Sequence, residues 1–117
     1  MLAKTNELTG DALNWAVATC EGMFAEPWLW GDEQEVLMHY KFSTEWAQGG
    51  PIIEREGLGM WMYSWNEQGE PEVGWIVEDK HGSNMQTGPT TLIAAMRCYV
   101  FSKLGEEIEI PTELKGT

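Results

Sequence analysis

The sequence predicts an α+β domain in which a small antiparallel sheet of about three strands packs with helices, as a helix-sheet-helix sandwich. Two observations support this fold class, and the length sets the number of domains. Two segments, near residues 10–20 and 90–105, repeat apolar side chains with the 3.6-residue period of a helix. Between them, two runs rich in aromatic and β-branched residues are typical of a hairpin. The length of 117 residues predicts a single domain over the whole chain.

The first predicted helix runs from Gly10 to about Cys20. Thr9 precedes it as the N-cap, and Gly22 can end it in a left-handed conformation. Four apolar residues fall at i, i+3, i+4 and i+7, namely Leu13, Ala16, Val17 and Cys20. This stripe predicts that one face of the helix packs on the core.

The middle of the chain is predicted to be mostly irregular or extended. The segment Met23–Glu35 contains a proline, a glycine and acidic residues, and predicts an irregular connection whose tryptophans cover the core. The run Val36–Phe42 predicts a strand with two faces: Val36, Met38, Tyr40 and Phe42 on one, and Leu37, His39 and Lys41 on the other. A glycine-rich loop, Phe42–Gly50, follows. Pro51 then favours a short helical turn that ends at Gly57, with a strand as the alternative.

The predicted hairpin consists of Gly59–Trp65 and Glu72–Asp79, joined by the polar loop Asn66–Pro71. Alternation places two sets of side chains on common faces of these strands: Trp61, Tyr63 and Trp65 in the first, and Val73, Trp75 and Val77 in the second. Trp61, Tyr63, Trp65 and Trp75 predict either core packing or the lining of an aromatic groove, and packing is the simpler interpretation because cross-strand aromatic pairs stabilise small sheets.

The last predicted helix is the most regular part of the sequence. A polar loop over residues 80–88 leads to Thr90 as N-cap, and Gly105 closes the helix. Its apolar stripe consists of Leu92, Ala95, Met96, Tyr99 and Val100. The tail, Glu106–Thr117, is predicted to be extended and partly packed.

The charge of the chain bears on its partners. Seven basic and nineteen acidic residues give a net charge of −12, which repels phosphate backbones, so direct nucleic-acid binding is disfavoured. The general interpretation is a soluble acidic surface. An alternative is DNA mimicry, in which carboxylates imitate phosphates and occupy a DNA-binding protein.

Cys20 and Cys98 lie in no metal-binding or CxxC pattern, and both are predicted to be buried free thiols. A disulfide between them is the alternative, if the two helices lie side by side. No apolar run is long enough for a membrane span, and the N-terminus lacks the apolar core of a signal peptide. We therefore expect a cytoplasmic protein without membrane association, and we expect no metal and no cofactor.

Two segments resemble the NinX-like family of phage and prophage proteins. The first is Phe42–Pro51, with Glu45 where the family usually has aspartate before the tryptophan. The second is Gly88–Arg97, with Thr91 where the family usually has proline. The resemblance extends from Leu8 near the start to Pro111 in the tail. It implies a phage accessory protein acting in the bacterial host, with no activity attached.

The first of these segments also contains the main candidate binding residues. Trp46 offers a stacking face, and Gln48 offers both a donor and an acceptor. Gly49 and Gly50 can adopt positive φ or allow close backbone approach. These residues predict either a recognition loop or a structural turn in which Trp46 fills the core and Gln48 satisfies the backbone.

Three further residues are candidates for binding an anion. Thr90 begins the last helix, where backbone N–H groups and the helix dipole favour negative charge, although any helix start does so. Arg97 lies in an otherwise apolar helix and needs an acidic partner: either an anionic ligand or a carboxylate such as Glu54 or Glu45. Arg55 is a second cation that could meet phosphates.

The sequence contains no recognisable catalytic constellation. His39 and His81 lie apart, without a nucleophile or carboxylate at a known catalytic spacing, and no nucleotide-binding glycine motif is present. The leading hypothesis is therefore a non-enzymatic protein that binds a host or phage protein. The alternative is a protein that sequesters a small nucleotide-like anion, and DNA mimicry is a third hypothesis. Homo-oligomerisation is left open.

Overall fold

The computed structural model describes residues 1–65, 68, 69 and 71–114, and for residues 65 and 71–73 it describes the backbone alone. The helices are α1 (Gly10–Cys20), α2 (Pro27–Trp30), α3 (Glu33–His39), α4 (Trp46–Glu56) and α5 (Thr91–Leu104). The strands are β1 (Leu2–Lys4), β2 (Gly59–Trp65), β3 (Pro71–Glu78), β4 (Met85–Gly88) and β5 (Glu107–Glu109). Short 3-10 helices span Thr5–Glu7, Met23–Ala25 and Thr112–Leu114.

The strands form two antiparallel sheets. One has the order β2-β3-β4, with Met60 opposite Val77 and Trp75 opposite Gly88. The other pairs β1 with β5, with Ala3 opposite Ile108. The structure thus confirms the α+β class and the small antiparallel sheet packed with helices.

The predicted hairpin is confirmed, since β2 and β3 are antiparallel neighbours. Its predicted loop, Asn66–Pro71, lies largely outside the described residues, and so do the side chains of Trp65 and Val73. The prediction missed β4, which forms within the polar segment 80–88 that was expected to be a loop. β4 is only four residues long and alternates exposed with buried positions, so its polar sequence gives little strand signal.

Helix α5 is central to the packing because it contacts β3, β4, α1 and α4. As a result, every residue from Ala94 to Val100 is buried. The predicted stripe is confirmed, but the burial extends around the helix. The predicted bounds of α1 and its buried residues Leu13, Ala16 and Val17 are also confirmed.

The predicted strand Val36–Phe42 is wrong, because α3 occupies most of it. Asp32 caps this helix: its Oδ1 accepts a hydrogen bond from the backbone N–H of Glu35 at 2.9 Å. Asp32 with Glu35 three positions later is an N-terminal capping pattern, and it outweighs the short alternation that follows. Only Val36 of the helix is buried, whereas Met38 is 63% exposed.

The predicted glycine-rich loop Phe42–Gly50 is also wrong in its second half, because α4 begins at Trp46 and continues through Gly49, Gly50 and Pro51. Ile52 and Ile53 are buried on this helix together with Gly49. These three residues fall at i, i+3 and i+4, so the packing of one apolar face stabilises a helix that its local propensities oppose. The helix ends at Gly57, as predicted, and Gly57 adopts a left-handed conformation.

The connection between α1 and α3 is more ordered than predicted, since it contains a 3-10 turn and α2. The expectation that its tryptophans cover the core is wrong for Trp28, which is 81% exposed. The tail is extended and packed as predicted: Ile108 in β5 and Ile110 after it are buried, while residues 115–117 lie outside the described part. Both cysteines are free thiols, with Cys98 buried and Cys20 half-buried.

Candidate functional site

Gln48 ties the start of α4 to the end of α3. Its side-chain Oε1 accepts a hydrogen bond from the backbone N–H of Lys41, and its Nε2 donates to the carbonyl oxygen of His39 at 2.7 Å. Both ends of the amide are therefore engaged by the backbone that leaves α3. This arrangement matches the structural alternative stated for Gln48, and it fixes the approach of α4 to α3.

Gly49 and Gly50 differ in their surroundings, and neither has the positive φ that was considered for them. A Cβ atom on Gly49 would lie 2.4 Å from the carbonyl oxygen of Phe42 and 2.7 Å from Cδ2 of Leu92. A Cβ atom on Gly50 would meet only Cε3 of Trp46, at 3.6 Å. Gly49 is thus required for the close packing of α4 on its neighbours, as the alternative of close backbone approach predicted.

Trp46 is the first residue of α4, and its side chain is 56% exposed. It forms part of the wall of a cleft of about 350 Å³ between the start of α4 and the start of α5. The described lining residues are Ser43, Thr44, Trp46, Trp75, Pro89, Thr90, Thr91, Leu92 and Ile93. None of these residues carries a charge, although the chain as a whole has a net charge of −12.

Side-chain hydrogen bonds fix the positions of residues on two sides of the cleft. Ser43 is 1% exposed, and its backbone N–H and hydroxyl both donate to Oδ1 of Asn14 on α1, at 2.9 and 2.8 Å. On the other side, the hydroxyl of Thr90 accepts a hydrogen bond from the backbone N–H of Ile93 at 3.1 Å. This bond confirms Thr90 as the N-cap of α5. Thr90, the residue that caps the helix, therefore also lines the cleft.

Arg97 does not line this cleft. The side chain is 8% exposed; its Nε donates to the carbonyl of Leu8 and its Nη1 to the carbonyl of Thr87, each at 2.8 Å. Burial lowers the pKa of the guanidinium. The prediction that Glu54 or Glu45 pairs with Arg97 is wrong: no salt bridge joins them in the described part of the chain, and backbone carbonyls accept the hydrogen bonds of the guanidinium instead. Arg97 joins the chain before α1 to strand β4.

Arg55 lies in a different cluster, which connects α4 to α1 and α5. Its two terminal nitrogens donate to the carboxylate of Glu21 at 3.0 and 2.7 Å, and its Nε donates to Glu56 at 3.0 Å. The guanidinium also lies 5.5 Å from the ring centre of Tyr99. The hydrogen bond from Arg55 lowers the pKa of Glu21, whereas burial and the nearby Glu21 carboxylate raise the pKa of Tyr99.

The structure therefore brings together only some of the predicted site residues. Trp46 and Thr90 line one cleft, and Gln48 and Gly49 hold the helix that carries Trp46. Gly50 packs beside Trp46, while Arg55 and Arg97 belong to other contacts. The sequence interpretation missed Ser43 as a lining residue, and it named Trp75 only as part of a possible aromatic groove on the hairpin. A second signal for Trp75 was its place on the same strand face as Val77, which is buried in the structure.

Two searches of the described residues bear on other kinds of site. Residues 1–65, 68–69 and 71–114 contain no group of three or more His, Cys, Asp or Glu side chains arranged to hold a metal ion. None of the helices in this part of the chain has both the length and the apolar character to cross a membrane.

A protein-family model described as "Bacteriophage P22, NinX" matches residues 4–103. The chain belongs to this family. The match to the NinX family includes every residue that lines the cleft, as well as Arg55 and Arg97. A comparison with curated proteins gave no significant match.

Proposed function

We propose that this member of the NinX family is a non-enzymatic phage accessory protein that binds a host or phage protein in the bacterial cytoplasm. The binding surface is the cleft between α4 and α5, with Trp46 as its central contact. The observation that carries the proposal is the combination of a half-exposed tryptophan with an uncharged cleft on an acidic protein.

The chemistry of the cleft favours a protein partner. Tryptophan is over-represented among the residues that dominate binding energy at interfaces, and the centres of interfaces are depleted in charge. Small-molecule sites enclose most of the ligand surface, often in cavities of about 300–1,000 Å³. The volume of about 350 Å³ falls within this range, but because Trp46 is 56% exposed the cleft is better suited to a protruding side chain of a partner than to full enclosure of a ligand.

The test is affinity isolation of tagged protein from phage-infected cells, with three forms compared. Trp46→Ala removes the proposed contact, and Trp28→Ala is the matched control because Trp28 is 81% exposed and lies on α2. We expect Trp46→Ala to lower partner recovery about tenfold or more, because loss of a dominant contact costs about 2 kcal/mol of binding free energy. Trp28→Ala should retain full partner recovery. Thermal unfolding of each form verifies that it is folded. Full recovery with folded Trp46→Ala contradicts the proposal.

A second candidate function is sequestration of a small nucleotide-like anion. One observation favours it: Trp46 and the N-terminus of α5 at Thr90 line the same cleft, so a planar group on Trp46 would lie near a positive helix end. Against it, neither Arg97 nor Arg55 is among the lining residues. A hundredfold excess of ligand over Kd stabilises a protein by about 2.7 kcal/mol. A thermal-shift panel of nucleotides should reveal such a ligand, and no shift would remove this candidate.

DNA mimicry rests on the net charge of −12 alone. Binding to a basic partner through that charge would weaken steeply with salt, whereas binding through the uncharged cleft would not. Repeating the isolation at 50 and 500 mM salt therefore separates the two modes.

A further inference from the structure

The two edges of the three-stranded sheet differ in how they are protected. Strand β4 forms one edge, is four residues long and is followed by Pro89. Strand β2 forms the other edge and is seven residues long. Exposed edges are usually blocked by charge, proline or shortness, since their outward N–H and C=O groups can pair with another strand. β2 has no charged residue and no proline, and its one irregularity is the register shift between Tyr63 and Trp65.

The side chains of β2 are unusually exposed for an apolar strand. Met62 is 58% exposed and Trp61 is 40% exposed. Met60 lies opposite Val77, which is fully buried, so Met60 and Met62 belong to the sheet face that carries the core. Trp61 lies on the other face, opposite Ile76. Both faces of the strand thus offer apolar surface beside an open edge.

The support for this strand also decreases along its length. β4 pairs with β3 only from Trp75 to Glu78, which corresponds to residues 59–62 of β2. Beyond Met62, β4 no longer pairs with β3, and the sheet consists of β2 and β3 alone. Two-stranded segments are marginal in water without further packing, so an added strand would stabilise this part of the hairpin.

We propose that β2 pairs antiparallel with β2 of a second copy of this chain, so that three strands from each copy form one continuous sheet. An extended strand without charge or proline can pair with this edge, and β2 itself meets this description. Two copies with a net charge of −12 each repel one another, and pairing through an uncharged strand keeps charged side chains of β2 out of the seam. The two-fold arrangement pairs the β2 edges of both copies at once, and because it is closed it does not propagate into fibres through β2.

The test is sedimentation equilibrium of the purified protein with two matched variants. Met62→Glu places a charge on the proposed seam, and Met85→Glu places the same charge on the opposite edge at a residue of similar exposure, 52% against 58%. From a monomer mass of 13.2 kDa, we expect dimers near 26.4 kDa for the wild type and Met85→Glu, and monomers for Met62→Glu. A monomeric wild type at all concentrations, or an equal effect of the two variants, overturns the proposal.

Hydrogen exchange of the wild-type protein provides a second measurement that does not depend on a variant folding. Backbone amides of Met60 to Tyr63 that point outward should exchange more slowly as the protein concentration rises through the dimerisation range. Amides of β4 serve as the internal control and should not change. Concentration-independent exchange along β2 overturns the pairing. A wild-type dimer with protection confined to other segments also overturns it, since the copies would then meet elsewhere.

Discussion

Replacing Gly49 by alanine should destabilise the domain, whereas the same replacement at the adjacent Gly50 should change its stability little. Both residues lie within α4 and have helical backbone conformations. Alanine is favoured over glycine by about 1 kcal/mol in a helix interior. Helix propensity alone therefore predicts that both substitutions stabilise the protein, and the surroundings of each glycine decide the difference.

At Gly49, the new methyl group would lie 2.4 Å from the carbonyl oxygen of Phe42 and 2.7 Å from Leu92. The first of these atoms is backbone, so α4 must move away from its neighbours. Overpacking of this kind costs about 1–3 kcal/mol, and a backbone obstacle places the cost near the upper end. After the helix gain of about 1 kcal/mol is subtracted, we expect a net loss of about 2 kcal/mol.

At Gly50, the methyl group would contact only Trp46, at the ordinary distance of 3.6 Å. However, Gly50 precedes Pro51, and a Cβ atom before proline disfavours the helical conformation. This restriction offsets part of the helix gain, so we expect a net change within about 1 kcal/mol of zero.

Thermal and urea unfolding of the two variants and the wild type measure the difference. At about 4 °C per kcal/mol for a domain of this size, Gly49→Ala should lower Tm by about 8 °C and Gly50→Ala should shift it by about 4 °C at most. The urea m-value should stay constant if the folded state is preserved. If Gly49→Ala is as stable as Gly50→Ala or more stable, the close packing of α4 is refuted.

Three further predictions follow from buried polar and ionisable groups. Arg97→Met removes two hydrogen bonds to backbone carbonyls and should lower the free energy of unfolding by about 2–4 kcal/mol. Urea unfolding measures this loss, and an unchanged urea midpoint contradicts the prediction. Because the hydrogen bond from Arg55 lowers the pKa of Glu21, this carboxylate stabilises the fold above its ordinary pKa of about 4.3 and loses that contribution as pH falls through its lowered pKa. Glu21→Gln should therefore cost about 1 kcal/mol at pH 7, and its Tm should converge with that of the wild type in acid; a constant difference down to pH 2 refutes the linkage. Burial raises the pKa of the Cys20 and Cys98 thiols to about 12. A disulfide reagent at pH 8 should therefore modify both thiols quickly only after unfolding. Rapid reaction of either thiol in the folded protein contradicts this prediction.

The parts of the fold that the sequence predicted are those in which local pattern and tertiary packing agree. Helix α5 has an apolar stripe, a capping threonine and a closing glycine, and all three signals are borne out. The hairpin of β2 and β3 has long aromatic strands on either side of a polar segment. In both cases a few neighbouring residues contain the information that the structure uses.

Two of the missed elements, α4 and β1, depend on tertiary contacts more than on local propensity. Helix α4 includes two glycines and a proline, and it forms because Ile52 and Ile53 are buried and Gly49 allows close packing on Phe42. β1 is three residues long, and it is fixed by pairing with β5 at the other end of the described chain. The two strands of this pair are more than a hundred residues apart, so no short window of the sequence reveals their pairing.

The candidate site shows the same contrast between what residue type predicts and what tertiary packing determines. The sequence singled out Trp46 and Thr90, and the structure places both at one cleft. It also singled out Arg97 because a guanidinium in an apolar helix needs a carboxylate or an anionic ligand. The acceptors are instead the backbone carbonyls of Leu8, 89 residues away, and Thr87, 10 residues away. Residue type indicated that the guanidinium needs partners but named carboxylates, and only the packing of α5 determined that backbone carbonyls accept its hydrogen bonds.

The most direct test of the proposed binding function is native mass spectrometry of the protein recovered gently from infected cells. We expect a protein-sized mass in addition to one or two copies of the 13.2 kDa chain, and its loss in the Trp46→Ala variant. An increment of several hundred daltons would instead identify a bound small molecule and favour the sequestration function. Detection of the chain alone, or a protein-sized increment that persists in Trp46→Ala, would contradict binding through the cleft.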